Sequence, residues 1–244
     1  MIPSNADNIA SWSAMGREQI AALDPEGDFA KKHLLNPTVL QLVGDVAGRK
    51  VLDAGAGQGY FSRILANRGA IVTSVEPATT LIEHSRHLES QRPLGVDYVQ
   101  SDLTTASFDP VFDVVVANMV FLSVHDWTRA LAACISALRP GGTLVFAVEH
   151  PCFETAELRD RTTDPHLVVR DYLTERPMTR PVATDFHRTL STYINGVLAA
   201  GLTVSRLVEP GLSRAEATTP AAPETARILC TVPNFLVLRC EKPA

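Results

Sequence analysis

The sequence predicts an α/β fold, one domain built on a doubly wound and mostly parallel sheet, and three observations predict it. Short apolar runs alternate with helical patterns, as βα units require. A glycine-rich turn joins the first of those runs to the first of those helices. The chain has 244 residues and is 45% hydrophobic, enough for one full-sized core.

Taken in order, Ile9, Trp12, Met15, Ile20 and Leu23 recur at helical intervals, so the spacing predicts one amphipathic helix from Asp7 to Leu23. A second short helix follows Asn36, with Pro37 suited to a first helical position, through Leu40, Leu42 and Val43. Strands are expected at Val51–Ala54, Ile71–Val75, Val96–Gln100, Val111–Ala117 and Thr143–Val148, with helices beginning near Tyr60, Ala78 and Asp126. Trp127, Leu131, Ile135 and Leu138 form one face of the last of these, and Pro140-Gly141-Gly142 is expected to stop it. The rhythm then breaks. From Cys152 to Phe186 the chain is polar and Pro-bearing, which reads as an inserted lid. A helix from Leu190 to Ala200, ended by Gly201, and strands at Thr203–Val208 and Phe235–Cys240 close the pattern. Between those strands, Ser213–Pro223 has the composition of a flexible connection. The parts of the single domain are thus a helical cap at 1–46, a ligand-binding core at 47–150, an insertion at 151–186, and a last helix with edge strands at 187–244.

Composition narrows the function. The net charge of −5 and the lack of any Lys/Arg run argue against a long nucleic-acid or anionic-membrane contact. No basic-then-apolar leader pattern and no membrane-length apolar run occur, so the expectation is a cytoplasmic protein. Cys134, Cys152, Cys230 and Cys240 lack the close spacing of a zinc or redox site and are read as reduced thiols, with no metal expected.

The chemistry concentrates where the first strand ends, in Val51-Leu52-Asp53-Ala54-Gly55-Ala56-Gly57-Gln58-Gly59-Tyr60-Phe61. Glycines there let backbone approach a ligand, and the following helix start offers unpaired N–H groups to an anion. The dinucleotide fingerprint needs its third glycine where bulky Tyr60 stands, and no Tyr-x-x-x-Lys pair is present, so a nicotinamide or flavin oxidoreductase is disfavoured. Seventeen residues after Gly59, Glu76 ends the second strand, where a carboxylate can accept bonds from both hydroxyls of a ribose. Ser101-Asp102-Leu103 follows the third strand: Asp102 suits an exocyclic adenine amine and Leu103 can cover the ring, while a solvated turn or cap aspartate is the competing reading.

These ordered motifs resemble the class I S-adenosylmethionine-dependent methyltransferases, in the small-molecule group called type 11. The resemblance covers Val51 to Val148, with a weaker continuation through the last helix and the last two strands. It implies a Rossmann-like sheet of seven strands with an antiparallel hairpin at one edge, and S-adenosylmethionine as cofactor. Carried over, cofactor contacts fall on Asp53, Gly55, Gly57 and Gly59 with Ala54 beside them for the methionine part. Glu76 with Pro77 takes the ribose, Asp102 with Leu103 the adenine, and Asn118 faces the methionine end. The segment Asn118-Met119-Val120-Phe121 lacks the Pro-Pro-aromatic sequence of enzymes that methylate amides or base amines in DNA and protein.

The expected reaction is methylation at O, N or C of a small-molecule acceptor, in secondary metabolism such as natural product biosynthesis. The alternative is a catalytically silent subunit that binds the cofactor and positions a partner. A homo-oligomer is possible but not indicated. Methyl transfer mainly needs alignment, so a base matters only where the acceptor loses a proton. His150 after the fifth strand, His187 and Tyr193 near the last helix are the candidate catalytic residues, with His125 weighed beside them; each also reads as a capping or packing residue. Glu149 next to His150 is expected to favour its charged form. Cys152 reads as a structural thiol rather than a nucleophile.

Overall fold

In the computed structural model, which describes residues 2–23, 27–159, 166–220 and 222–244, the strand that carries the glycine turn lies mid-sheet. Strand β1 (Lys50–Ala54) pairs in parallel with β2 (Ile71–Val75) on one side and β4 (Phe112–Asn118) on the other. β3 (Asp97–Val99) extends the sheet beyond β2, and β5 (Leu138–Glu149) extends it beyond β4. β11 (Phe235–Glu241) then pairs antiparallel with β5, and β10 (Thr203–Val208) pairs antiparallel with β11. The order β3-β2-β1-β4-β5-β11-β10 reverses direction between β1 and β4, so a crevice opens beyond their carboxyl ends.

Strand alternation divides the core. Leu52, Val115, Leu144 and Phe146 point into one apolar layer, and Val51, Val114, Val116 and Val145 into the other. The first layer is closed by α6 (Trp127–Ala137) and α8 (Leu190–Ala199), through Leu131, Cys134, Tyr193 and Val197. The second is closed by α3 (Asn36–Val43) and α4 (Tyr60–Asn67), and by Ile82 of α5 (Thr79–Gln91). Each fully buried leucine or phenylalanine here contributes roughly 1.5–3 kcal/mol, which is why the sheet needs cover on both faces.

Several boundaries depart from expectation. The predicted N-terminal helix is two helices, α1 (Asn5–Ser13) and α2 (Arg17–Ala21), with Gly16 extended between them and its N–H donated to Gln19. Apolar periodicity survived that break because both pieces bury the same side, against α5. Pro140-Gly141-Gly142 does not stop α6: the chain turns extended at Leu138 and enters β5 directly. Residues 139–142 bulge opposite Asp113, whose carboxylate holds Arg139 Nε at 2.7 Å. The insertion is not an irregular loop. It carries α7 (Pro151–Glu154) and two antiparallel hairpins, β6 (Ala156–Arg159) with β7 (His166–Val169) and β8 (Arg176–Thr179) with β9 (Thr184–His187). Part of the predicted lid, residues 160–165, lies outside the described residues. Ser213–Pro223, read as flexible, holds a short turn at Glu216–Thr218 that buries Ala217 under the sheet; residue 221 is outside the described residues.

No helix among the described residues is long and apolar enough to cross a membrane. No cluster of three metal-ligating side chains occurs among them.

Candidate functional site

A cavity of about 440 Å³ occupies the crevice at the carboxyl ends of β1, β2 and β4. That volume suits a small organic ligand. Of the ten residues expected to hold the cofactor, seven line it: Gly55, Gly57, Glu76, Pro77, Asp102, Leu103 and Asn118. Gly55 (φ 74) and Gly57 (φ 58) take the left-handed conformation in the turn after β1. A Cβ on Gly57 would meet no protein atom within 4 Å, so its bare backbone faces open space beside the cavity. A Cβ on Gly55 would stand 2.7 Å from both methyl carbons of Val120, so that glycine serves the close packing of the turn against β4's exit.

The other three lie behind the wall. Gly59 packs against the α5 and β3 side, where a Cβ would press on Ser85 Oγ at 2.8 Å and Tyr98 at 3.0 Å. Ala54 is fully buried in the sheet. Asp53 is buried too, its Oδ2 accepting from Ser62 Oγ at 2.5 Å, and burial pushes its carboxyl up to about 6. Its place is beneath the glycine turn, so it supports the loop rather than lining the cavity.

Glu76 is 6% exposed and held at both oxygens: Gly57 N donates to Oε2 at 2.9 Å and Ala78 N to Oε1 at 2.8 Å. Burial outweighs these two bonds and pushes its carboxyl up to about 7. Each oxygen keeps a further lone pair for a ligand donor. Asp102 accepts from Thr104 N and Thr104 Oγ1, and also from the side-chain amide of Asn5. Asn118 ends β4; its Nδ2 donates to Tyr60 Oη at 3.4 Å, and its Oδ1 is buried without a protein partner. The Tyr60 hydroxyl donates in turn to Asn36 Oδ1 at 3.2 Å, and burial raises its pKa well above the ordinary phenol. The wall therefore offers a buried carboxylate, an unpartnered amide oxygen and bare backbone, a set that fits a nucleoside carrying a polar tail.

Sequence reasoning expected a helical cap at 1–46 but named none of its residues for the site. Asn5, Asn8, Ile9 and Trp12 of α1 all line the cavity. Their spacing of i, i+3, i+4, i+7 puts two asparagines on the same face as the apolar pair, and that mixed stripe was the available signal. Asn8 is 3% exposed; its Nδ2 donates to Ser123 O at 2.7 Å and to Thr184 O at 2.6 Å, while its Oδ1 accepts from Thr184 N. The turn at 121–125 is held from the far side by Arg188, whose guanidinium donates to the carbonyls of Phe121, Val124 and His125 at 2.7–2.9 Å. Ala22, Leu23, Gly27, Asp28 and Lys31 complete the mouth; of these the helical pattern had marked Leu23, and nothing in the local sequence marked Gly27, Asp28 or Lys31.

None of the expected catalytic residues lines this cavity. His150 is 4% exposed and caps α7, its Nδ1 accepting from Cys152 N at 3.1 Å, which leaves the proton on Nε2 for Glu209 at 2.8 Å. Its pKa is lowered by burial, with Glu209 opposing, and the expected partner Glu149 instead pairs with Arg180 at 2.9 Å. His187 is fully enclosed between Glu154 at 3.0 Å and the carbonyl of Tyr172 at 2.7 Å. Burial first, and then the Glu149 and Asp185 charges, push the Glu154 carboxyl up to about 8. Tyr193 packs edge-on against Trp127, with ring centroids 5.2 Å apart, and is 1% exposed. His125 meets the Phe186 ring edge-on. The thiols of Cys134 and Cys240 are pushed up to about 12 by burial, and that of Cys152 is raised, so none is an activated nucleophile. Among the described residues, the insertion between α7 and β9 contributes none to the cavity's lining, whereas the N-terminal segments contribute several.

Residues 52–146 match the family model described as a methyltransferase domain. The ubiquinone biosynthesis O-methyltransferase of Histophilus somni is 33% identical over 141 residues, covering 54% of this chain and 59% of that protein. The protein of the same name from Coxiella burnetii is 32% identical over 128 residues, covering 51% and 55%. The chain thus spans less than two thirds of the length of these curated relatives. Among solved structures, an S-adenosylmethionine dependent methyltransferase from Mesorhizobium loti superposes with a TM-score of 0.75 at 25% identity, covering 84% of this chain and 96% of that one. The 1,6-didemethyltoxoflavin-N1-methyltransferase of Burkholderia thailandensis, solved with 1,6-didemethyltoxoflavin and S-adenosylhomocysteine bound, gives 0.62 at 17% identity over 98% and 87%, a likeness of fold.

Proposed function

We propose that this chain, a class I S-adenosylmethionine-dependent methyltransferase of the type 11 group, methylates O, N or C of a small-molecule acceptor held beneath α1. The observation that carries the reading is Glu76, a buried carboxylate fixed by two backbone N–H groups where β2 meets the cavity, with lone pairs left for a pair of ribose hydroxyls. The named activities of the relatives, an O-methyltransferase of ubiquinone biosynthesis and an N1-methyltransferase, support a small acceptor.

S-adenosylmethionine, when bound, supplies a methyl group already activated on a sulfonium. The chain's part is to bind, orient and exclude water. Glu76 would hold the ribose, Leu103 would cover the adenine, and the unpartnered Asn118 Oδ1 would accept from the amino-acid end. Ile9 and Trp12, pinned by Asn8, would keep solvent from the acceptor. The same proposal sets the enzyme in the cytoplasm, supported by four free thiols, and in secondary metabolism. Metabolite profiling of a deletion strain tests that setting.

The test is calorimetry of the purified chain with S-adenosylhomocysteine and with NAD, followed by labelled-methyl transfer to acceptor panels. Micromolar binding of the first only, with transfer, is the expected result. Binding of NAD instead would sink the reading, and tight S-adenosylhomocysteine binding without transfer to any acceptor would favour a silent binding subunit.

A further inference from the structure

Lys31 reaches the cavity from the turn of helix at Lys31–Leu35, which leads into α3. Among the described residues that line the cavity it is the one cation, set against the carboxylates of Asp28, Glu76 and Asp102. Glu76 and Asp102 are satisfied by neutral donors, the N–H groups of Gly57 and Ala78 and the amide and hydroxyl of Asn5 and Thr104. Neither draws on the ammonium. Asp28 Oδ2 stands 3.6 Å from Lys31 Nζ, but its side chain is 64% exposed, so this pair is screened and weak. Its other oxygen accepts from Lys31 N at 2.9 Å and so fixes the start of the helix.

The stem of Lys31 is also held. Gly27, at φ 90, lays bare backbone across it: a Cβ there would fall 2.7 Å from Lys31 Cβ and 3.0 Å from Cδ. A glycine in that conformation lets the amine's stem lie close against the backbone at the cavity's mouth. A cation with a confined stem, and with one screened carboxylate beside it among the described residues, is arranged to meet an anion brought by a ligand.

We propose that the Lys31 ammonium is this site's cation for a ligand carboxylate, an inference that rests on the methyltransferase reading of the cavity. The carboxylate comes either from the amino-acid end of S-adenosylmethionine or from an acidic acceptor. Calorimetry on the full chain compares wild type with Lys31→Met and Lys31→Arg, using two probe pairs. The first pair is S-adenosylhomocysteine against 5′-methylthioadenosine, which lacks the carboxylate. The second, measured with saturating S-adenosylhomocysteine, is benzoate against benzamide.

Lys31→Met is expected to weaken the carboxylate member of one pair about tenfold, leave its neutral counterpart within twofold, and be rescued by Lys31→Arg. Loss confined to S-adenosylhomocysteine assigns the cofactor's carboxylate, and loss confined to benzoate assigns the acceptor's. Binding of S-adenosylhomocysteine that ignores Lys31→Met, together with no discrimination within the benzoate pair, overturns the proposal. Equal weakening of acid and neutral probes overturns it too. Wild-type protein that fails to bind S-adenosylhomocysteine at all would instead sink the functional reading itself.

Discussion

The side-chain nitrogen of Asn5 lies 2.9 and 2.8 Å from the two carboxylate oxygens of Asp102, a residue 97 positions further along the chain. Together with the two bonds from Thr104, this fills the four acceptor positions of the carboxylate. An adenine amine meeting Asp102 has to share or displace the Asn5 amide. Asn5→Ala removes a charge-assisted tether worth about 1.5–3 kcal/mol when intact. Hydrogen exchange across α1 should then quicken tenfold or more in the ligand-free protein. Unchanged exchange there would mean that the pair does not anchor the helix.

Glu76 gives the pH dependence its sign. Its folded-state value of about 7 lies above the ordinary carboxyl because of burial, so the ligand-free protein holds a proton there that the unfolded chain has released. Stability from this group falls as pH rises between about 4.5 and 7, and Asp53 and Glu154 act in the same direction. Ribose hydroxyls favour the ionised form, so S-adenosylhomocysteine should bind with proton release near pH 7, and its affinity should rise with pH. Calorimetry in buffers of different ionisation enthalpy reads the released proton. Glu76→Gln should abolish the buffer dependence and weaken binding.

Two glycines in one turn should fail differently. Gly57→Ala carries roughly 1–2 kcal/mol of backbone strain but meets no protein atom, so the protein should fold and bind S-adenosylhomocysteine poorly. Gly55→Ala adds a clash with Val120, for a total of about 2–5 kcal/mol. Thermal melts and ligand titrations of the pair separate the two effects. Normal binding by Gly57→Ala would remove that glycine from the ligand's path.

His150→Ala is expected to lower stability by about 1–2 kcal/mol, through the lost cap of α7 and the lost bond to Glu209. Turnover per folded molecule should stay close to wild type. A selective fall in turnover with an unshifted melt would return His150 to the acceptor's side.

Much of this molecule is legible in its sequence, and the reasons are local. Ile71–Val75 and Thr203–Val208 are expected and observed with the same ends, because β-branched runs that begin two residues after a glycine and end at a Glu-Pro pair leave few alternatives. The glycine turn and Glu76 were readable because a close backbone approach admits few residue types. What escaped is what depends on distant partners. His150 stands at the end of β5 as expected, yet Glu209 claims its ring, and no rule of spacing joins those two residues. Asn8 reads as a solvated helix residue until Ser123 and Thr184 are beside it. The insertion's composition suggested a loop, because short hairpins with one exposed side, such as β8 with its alternating burial, carry too few apolar residues to register as strands.

The Asn8 bond to Thr184 also orders assembly in time. Residue 8 leaves the ribosome long before residue 184, so this bond, 176 residues long in sequence, cannot form until the insertion has emerged. Strands β1 to β5 and the helices between them can pair at that stage, with α1 already held by Asp102, Ser123 and α5 while its tether to β9 does not yet exist. A nascent chain therefore passes through a stage in which α1 already lies on α5 yet lacks its tether to β9, and its final fastening waits on the insertion.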